Sequence, residues 1–397
     1  MAYGFSAADV AFLTTAAGRA ALEAFAPSGD RLADVAAARR RVGDEHAAAL
    51  LETALLRARA RGRLPDGWLW TADALEQATA LPVAEHRARR IAAVAGGRVV
   101  HDVTCSVGVE VATLSAVLDR VVGSDLDPVR LAMARANLPG ARLVRADALA
   151  PVTRDSILVA DPARRTASGR RVRRPSEMAP RLDLLCQHCG HADTERHRRR
   201  HDLVVSTAPG LDFGLVPWAR EVELVSLDGR VREAALWSAG LVPDDAPRRR
   251  ATVLRTAGEG DELTDLDDDT CPVTDVDAWL VDPDGAVVRA GLVRHYAARH
   301  GLAQLDPHLA YLTGPRPPSG IRAFRVLEHG PYGEKALRQT LRRREVGRVE
   351  ILVRGLDVEP DRLRPRLKLA GPNAATVVLA RVGRGAQAYV CDALVST

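Results

Sequence analysis

The sequence lacks the long apolar runs that cross membranes. None of its 397 residues belongs to an uncharged apolar stretch of roughly 18 or more, the length that a spanning helix needs. The start, Met1-Ala-Tyr-Gly-Phe, also lacks the basic and apolar blocks of a signal peptide. We therefore expect a cytoplasmic protein that does not use a membrane.

Cysteine is scarce as well. Five cysteines without a dense pattern exclude a secreted disulfide framework and point to a reducing compartment. Cys186, Cys189, His197 and His201 are side chains of the type that tetrahedral zinc prefers. Because the spacing between the two pairs is short for a zinc finger, we favour a solvated inserted loop and predict no metal site.

Lysine is almost absent. Only Lys335 and Lys368 occur among 56 basic residues, which exceed the acidic residues by a net charge of +5. A basic protein is able to bind nucleic acid, but a bias towards arginine and alanine also follows from a GC-rich genome. The arginines of the N-terminal helices are most simply a solvated face. Charge alone is therefore weak support for an RNA partner.

What the sequence does contain is a series of short apolar strands that end in acids. The run from His101 to Glu110 predicts a strand, a tight turn of small residues and a helix. Later predicted strands end at Asp125, Asp147 and Asp161. Because the carboxyl ends of parallel strands line one crevice, we expect these acids to meet one ligand. Asp125, about 20 residues after the turn, suits ribose hydroxyls of either NAD or S-adenosylmethionine.

The order of these motifs from His101 to Trp237 resembles the class I S-adenosylmethionine-dependent methyltransferases. Within them, the chain is similar to bacterial members that have a helical N-terminal part and a C-terminal THUMP-like domain. The runs that carry the similarity span nearly the full length: Trp70–Thr79, Ala160–Arg165, Ala208–Phe213, Arg354–Asp357 and Arg366–Leu369.

The resemblance implies an α/β fold with a Rossmann-like, doubly wound methyltransferase sheet. We predict a helical N-terminal domain over residues 1–95, the methyltransferase domain over 96–245, a connecting segment over 246–319 and a small THUMP-like α/β domain over 320–397. Smaller features are predicted by local pattern: helices over Ala7–Phe25, Arg31–Arg61 and Thr71–Ala95, a hairpin at Asp228-Gly229 between closing strands, and a loop with little structure over Glu259–Asp269.

The resemblance also implies the site residues. The predicted S-adenosylmethionine site consists of Asp102, Thr104, Cys105, Gly108, Asp125, Leu126, Asp147 and Ala148. Asp147 is expected to meet the adenine edge, and Cys105 is expected to pack as a small residue. Gln77 and Thr79 are predicted to contact the substrate, although a plain surface helix explains them equally well.

Asp161, Pro162 and Arg164 are predicted to be catalytic. Methyl transfer mainly requires that donor and acceptor are held in line, because the sulfonium carries its own leaving group. The Asp161 carboxylate and the Pro162 carbonyl are expected to accept hydrogen bonds from an acceptor amine, and Arg164 to contact a phosphate or carboxylate. Methylation at a uracil carbon would need a cysteine nucleophile, and no cysteine has a convincing motif.

We therefore expect N-methylation of a base in tRNA or rRNA, with RNA implied by the THUMP-like resemblance and no obligate protein partner. Three positions depart from the family pattern: Ser106 and Val109 stand where glycine is common, and Glu110 stands where aspartate is common. No aromatic residue follows Asp161-Pro162 to stack a base. A catalytically degenerate methyltransferase fold that binds RNA or protein is thus a second hypothesis, and a small-molecule methyltransferase a weaker third.

Overall fold

A computed structural model of the chain describes residues 3–163, 172, 174–188 and 201–393. The chain divides into two compact units, one made of Met1–Leu227 with Arg232–Ala246 and the other of Asp228–Val231 with Pro247–Thr397. Within the described ranges, no helix combines the length and the apolar character that a membrane span requires.

The first unit begins with helices and continues as alternating strands and helices. Its helices are α1 (Ala7–Leu13), α2 (Ala16–Glu23), α3 (Arg31–Ala60), α4 (Ala72–Gln77), α5 (Leu81–Ala95), α6 (Val109–Ser115), α7 (Pro128–Asn137) and α8 (Leu182–Leu185). Its strands are β1 (Val100–Asp102), β2 (Val121–Asp125), β3 (Leu143–Arg145), β4 (Ile157–Ala160), β5 (Asp202–Thr207), β6 (Ala219–Leu227) and β7 (Arg230–Ser238).

Two of the three predicted N-terminal helices are each divided in two. The first breaks before Thr15, whose side chain caps α2, and the last breaks after Gln77, where Pro82 then lies in the first turn of α5. Threonine caps and first-turn prolines favour helix starts over helix interiors, which explains both breaks. The long middle helix is confirmed as α3, with a kink at Gly43 (φ 77°).

The sheet of the first unit has the strand order β3-β2-β1-β4-β5-β7-β6. Strands β1 to β5 are parallel, and β7 is antiparallel to β5. The order reverses between β1 and β4, which is where open α/β sheets bind ligands. The predicted doubly wound sheet is confirmed, and so is the hairpin, since Asp228 (φ 50°) and Gly229 (φ 74°) supply the positive dihedrals of a tight turn.

One face of this sheet carries α5, α6 and α7. Ile91 of α5 and Leu114 of α6 share a core with Ile157, Val159 and Val204 of the central strands. A second apolar core joins α1 to α4 with the start of α6 and with α7. Helix α5 is thereby fixed beside the turn that follows β1.

The second unit contains the remaining elements. Its strands are β8 (Arg249–Leu254), β9 (Asp261–Thr264), β10 (Trp279–Val281), β11 (Ala303–Gln304), β12 (Leu312–Gly314), β13 (Ala323–Pro331), β14 (Val346–Arg354), β15 (Asn373–Val382) and β16 (Gly385–Asp392). Its helices are α9 (Gly285–Ala290), α10 (Val293–His300), α11 (Glu334–Arg343) and α12 (Pro360–Arg366). Strands β10 to β16 form one sheet in the order β11-β12-β10-β13-β16-β15-β14.

Two stretches of this unit are more ordered than expected. The acidic run Glu259–Asp269 contains β9, which pairs with β8. The prediction of a loop was wrong because Arg299 pairs with both Asp261 (3.0 Å) and Asp267 (2.9 Å), which neutralises acids that would otherwise repel. The stretch 246–319, expected to be a connection, supplies β10 to β12 to the main sheet, where Leu280 and Tyr311 are buried in its core.

A buried polar chain lies on the other face of the first unit's sheet. His101 of β1 places Nδ1 3.0 Å from Thr153 Oγ1 and Nε2 2.9 Å from Ser124 Oγ. Thr153 meets Ser156 at 2.8 Å, and Ser156 Oγ lies 2.9 Å from His201 Nδ1. Burial, together with nearby His201, lowers the pKa of His101 to about 4. The imidazole is therefore neutral at pH 7.

This pKa predicts a loss of stability in mild acid. An unfolded histidine binds a proton below about pH 6.5, whereas folded His101 resists protonation until about pH 4. The unfolded state thus gains protons first, and the free energy of unfolding falls as the pH decreases through this window. From pH 7 to pH 5 we expect His101 to account for about 2 kcal/mol of loss.

Urea unfolding of the wild type and of His101→Gln at pH 7 and pH 5 measures this effect. The glutamine variant should be less stable at pH 7 but should lose less stability on acidification, because it carries no titrating ring. Equal losses in the two proteins would show that other groups cause the acid sensitivity.

Candidate functional site

A cavity of about 430 Å³ lies at the carboxyl ends of the central strands of the first unit. It brings together ten of the predicted site residues: Gln77, Thr79, Asp102, Thr104, Cys105, Asp125, Leu126, Asp147, Ala148 and Asp161. Its volume falls in the usual range for a small-molecule pocket. Residues as far apart in sequence as Asp102 and Asp161, 59 positions, therefore converge on one space, as the parallel order requires.

The turn after β1 keeps its shape with a single glycine. Gly108 has a φ of 104°, and a Cβ there would lie 2.7 Å from Leu138 Cδ1, so no other residue fits without rearrangement. Ser106 also adopts a positive φ of 50°, and its N–H donates to Asp125 Oδ2 (2.9 Å). Val109 is already helical and needs no glycine. Gly108 shapes this turn but is not one of the residues that line the cavity.

Asp125 is oriented at the end of β2 by two backbone donors. Its Oδ2 accepts from Ser106 N, and its Oδ1 accepts from Asp127 N (2.8 Å). The carboxylate has remaining acceptor capacity on each oxygen. A diol, which donates two adjacent hydroxyl hydrogens, matches this geometry.

Asp102 ends β1 as a buried carboxyl with one unused oxygen. Its Oδ1 accepts from Thr104 N (3.0 Å), whereas its Oδ2 has no hydrogen-bond partner in the described part of the chain. Burial raises the pKa of Asp102 well above its ordinary value, and neighbouring Glu110 and Asp125 add to the shift. A buried polar atom without a partner is costly, so this oxygen favours a ligand that supplies a hydrogen-bonding partner.

Asp147 and its neighbours form the outer end of the cavity, after β3. Asp147 Oδ1 accepts from Leu149 N (2.9 Å), which fixes the carboxylate. Ala148 is buried, whereas the Leu126 side chain is 59% exposed although it lines the cavity. The apolar side chains of Leu126 and Ala148, beside the carboxylate of Asp147, suit a flat heterocycle.

Asp161 lies beyond the end of β4, on the other side of the strand reversal. Its N–H donates to Thr104 Oγ1 (2.8 Å), which ties the end of β4 to the turn after β1. The neighbouring residue Pro162 is buried and is not among the cavity-lining residues, whereas Ala163 lines the wall and pairs with Ala179. Arg164 lies outside the described residues. Among the described residues that line the cavity, none is aromatic.

The link between α4 and α5 closes one side of the cavity. Gln77 is the last residue of α4, and Thr79 lies in the short connection that follows. Both line the cavity, Gln77 as an exposed residue and Thr79 as a half-buried one. The interpretation of these residues as a plain surface helix is therefore less suitable than a role at the mouth of the site.

Arg87 of α5 and Glu110 of α6 are a pair among the lining residues that were not predicted as site residues. Arg87 donates through Nε and Nη2 to the two oxygens of Glu110 (2.9 and 2.5 Å), and through Nη1 to Glu233. Burial opposes the charge of Arg87, but the two carboxylates raise its pKa well above the ordinary value. The only available signal was the acid at position 110, since an arginine on an N-terminal helix usually indicates a solvated face.

The cavity has a clear excess of negative charge. Five acids line it: Asp102, Glu110, Asp125, Asp147 and Asp161. The lining cations in the described part of the chain are Arg87, which two carboxylates already engage, and Arg130, which lies near Asp127 and Asp73. An anionic pyrophosphate would be repelled here, whereas a ligand with positive charge would be attracted.

The cysteine and histidine residues considered for zinc are only partly described. Cys186 Sγ donates to the Asp183 carbonyl (3.2 Å), and buried His201 is engaged by Ser156. Cys189 and His197 lie outside the described residues. Within the described ranges, no three histidine, cysteine or acidic side chains are grouped as metal ligands would be. Buried Cys105 packs in the core, and burial raises the pKa of its thiol, which disfavours a nucleophile.

The Asp102 carboxyl, which has one oxygen without a partner in the described part of the chain, is predicted to lower the stability of the folded protein while it favours ligand binding. Its folded pKa is raised, so the folded state holds a proton that the unfolded state has lost above about pH 4, and ionisation destabilises the protein as the pH rises. Asp102→Asn removes this penalty. We expect the variant to be about 1 kcal/mol more stable than the wild type at pH 8.

Chemical unfolding of both proteins at pH 5.5 and pH 8 provides the measurement. The advantage of the variant should grow with pH, because only the wild type has a carboxyl to ionise. A variant that is less stable at both values would contradict the assignment of Asp102 as a strained, ligand-directed group.

Comparison with known proteins identifies the family of the chain. Curated sequences from two strains of Mycobacterium tuberculosis, each described as an uncharacterized S-adenosylmethionine-dependent methyltransferase, are 50% identical over 372 residues, which is 89% of this chain and 99% of theirs. A crystal structure of a candidate methyltransferase from Porphyromonas gingivalis aligns with a TM-score of 0.73 at 20% identity, over 98% of this chain and 99% of that one. At this identity, the structural likeness establishes the fold alone.

Two family profiles match parts of the chain. Residues 321–393 match a family described as "THUMP domain-like", which agrees with the predicted C-terminal resemblance. Residues 6–60 match a family described as a domain of unknown function. Since half of the aligned residues are identical across nearly the whole length of the curated relatives, the chain belongs to the S-adenosylmethionine-dependent methyltransferases.

Proposed function

We propose that this methyltransferase methylates an amino nitrogen of a base in structured RNA, tRNA or rRNA, with the cytoplasm as its place of action. The observation that carries the proposal is the row of acids along the carboxyl edge of the sheet. Their excess of negative charge suits a cationic donor, and their order along the edge assigns each part of that donor and of its acceptor a separate position.

The strand order supplies a scale for this assignment. Asp147, Asp125, Asp102 and Asp161 follow β3, β2, β1 and β4, four adjacent strands. Strands lie about 4.8 Å apart, so the row spans roughly 14 Å. That length accommodates a nucleoside joined to an amino acid. We assign the adenine to Asp147 with Leu126 and Ala148, the ribose to Asp125, and the amino-acid part to the vicinity of Asp102.

The reacting centre then lies near Asp161. When bound, the donor supplies the methyl group and, as a thioether, its own leaving group. Asp161 is held at the reversal of strand order by its bond to Thr104, and its carboxylate is suited to accept a hydrogen bond from an amine. This hydrogen bond orients the nitrogen lone pair. The Asp161 carboxylate then receives the proton that the nitrogen releases after it gains the methyl group. The Pro162 carbonyl and Arg164 stay predictions as acceptor contacts.

Features of the C-terminal region support RNA as the substrate. The THUMP domain-like match covers 321–393. Within the described part of this region, Lys335, Arg342 and Arg348 are exposed and make no ion pair. Unpaired cations on a folded domain provide the non-specific attraction to phosphates on which RNA binding depends. Because none of the described residues that line the cavity is aromatic, we expect base orientation to rely on hydrogen bonds rather than on stacking.

The donor site is tested by calorimetric titration of S-adenosylmethionine into the wild type and Asp125→Ala. Removal of the carboxylate that would bind the ribose should weaken binding at least tenfold, which is about 1.4 kcal/mol. Asp127→Ala is the matched control, because Asp127 caps α7 two residues later and does not line the cavity. It should reduce stability but leave affinity within twofold. Equal effects of the two substitutions would argue against the ribose assignment.

The acceptor is tested with labelled donor and RNA from bacteria that lack the gene. We expect methyl incorporation into tRNA or rRNA, and mass analysis of the digested RNA should identify an N-methylated base. Asp161→Asn should lower turnover by about a hundredfold, in line with the loss of a general base, and leave donor affinity within threefold. Binding of RNA without any turnover by the wild type would instead support the hypothesis of a degenerate binding module.

A further inference from the structure

Arg87, its two carboxylate partners and a serine that bonds to one of them form a group that the proposed mechanism does not use. We call it the Arg87 cluster: Arg87, Glu110, Glu233 and Ser206. Arg87 binds Glu110 through two nitrogens and Glu233 through the third, and the other oxygen of Glu233 accepts from Ser206 Oγ (3.0 Å). The cluster connects α5, α6, β7 and β5.

The position of the cluster distinguishes it from an ordinary buried ion pair. Arg87 is 2% exposed overall, yet both Arg87 and Glu110 line the cavity beside Asp102. Glu110 lies in the first turn of α6, directly after the glycine turn. A carboxylate in this position would be free to rotate without Arg87, whereas the bidentate contact fixes both of its oxygens.

The charge of the cluster is not balanced from within. One guanidinium faces two carboxylates, and the nearby Asp102 has an oxygen without a partner among the described residues. Buried charges are stable only when they are paired, so this corner of the cavity requires a further cation or hydrogen-bond donor. The α-ammonium at the amino-acid end of a donor would provide both.

Because the other acids are assigned to other groups, the part of the cavity at Glu110 and Asp102 is left for the amino-acid end of the donor. In the proposed function, Asp147 and Asp125 bind the nucleoside, and Asp161 binds the acceptor. We propose that Arg87 is a positioning residue: it holds Glu110 against the cavity so that Glu110 and Asp102 together receive the amino-acid end of the donor. The inference rests on the proposed donor site and makes helix α5 a part of it.

Arg90 offers a matched control on the same helix. It is a half-buried arginine that also binds two acids, Glu221 (2.8 Å) and Glu223 of the sheet, and its guanidinium lies over the ring of Trp237 (4.2 Å). Unlike Arg87, it does not line the cavity. Loss of Arg87 or of Arg90 removes a cation from beside buried carboxylates, so both substitutions should destabilise the protein. Only the loss of Arg87 should act on the amino-acid end of a ligand.

The test compares two ligands that share the nucleoside. S-adenosylhomocysteine carries the amino-acid end, and 5′-methylthioadenosine lacks it. Calorimetry on the full chain should give affinities for both with the wild type, Arg87→Gln and Arg90→Gln. We expect Arg87→Gln to weaken S-adenosylhomocysteine at least tenfold and 5′-methylthioadenosine less than twofold, and Arg90→Gln to change neither by more than twofold.

A second variant keeps the test decisive if Arg87→Gln does not fold. Glu110→Gln leaves Arg87 paired one to one with Glu233 and should therefore fold. It should cause the same selective loss of S-adenosylhomocysteine. Equal losses for the two ligands, or no loss for either, in a folded variant would overturn the role of Arg87. Failure of the wild type to bind either ligand would instead refute the proposed donor site itself.

Discussion

Repulsion between carboxylates is the constraint on which the arrangement of the first unit depends. Five acids line one cavity, and parallel strands that end at a common edge leave them no means of separating. Four of the five are held by donors of their own: backbone N–H groups for Asp102, Asp125 and Asp147, and a guanidinium for Glu110. The backbone of the turn after β1 is shaped by this requirement.

Ser106 illustrates how the turn responds. A serine in the left-handed region is strained by roughly 1 kcal/mol, but this conformation aims its N–H at Asp125. The hydrogen bond to a charged carboxylate offsets that strain. A turn with one glycine instead of several is thus compatible with the same geometry. The departure from the family pattern, which motivated the hypothesis of a degenerate protein, has a local physical explanation.

The sequence was sufficient to predict the sheet and ten of the residues that line the cavity, because both follow from short-range patterns. Apolar strands that end in acids have a readable period, and the parallel order brings Asp125, Asp147 and Asp161 to one edge. The contacts of Arg87 and Arg299 were not predictable in this way. Each arginine reaches acids between 23 and 146 residues away, so only the folded chain reveals that their charges are neutralised. The same long-range pairing explains why β9 forms in a run that appeared too acidic for a strand.

Helix α5 has a consequence for which pieces of the chain can be removed or exchanged. It supplies Arg87 to Glu110 and Glu233, and Arg90 to Glu221 and Glu223, and all four acids belong to the catalytic part of the chain. A gene fragment that began at the strand after α5 would retain the four acids, three of them buried and Glu110 half-buried, and would lack these two arginines. We therefore expect α5 and the sheet to fold as one unit, and a piece exchanged between related chains to need both sides of these pairs.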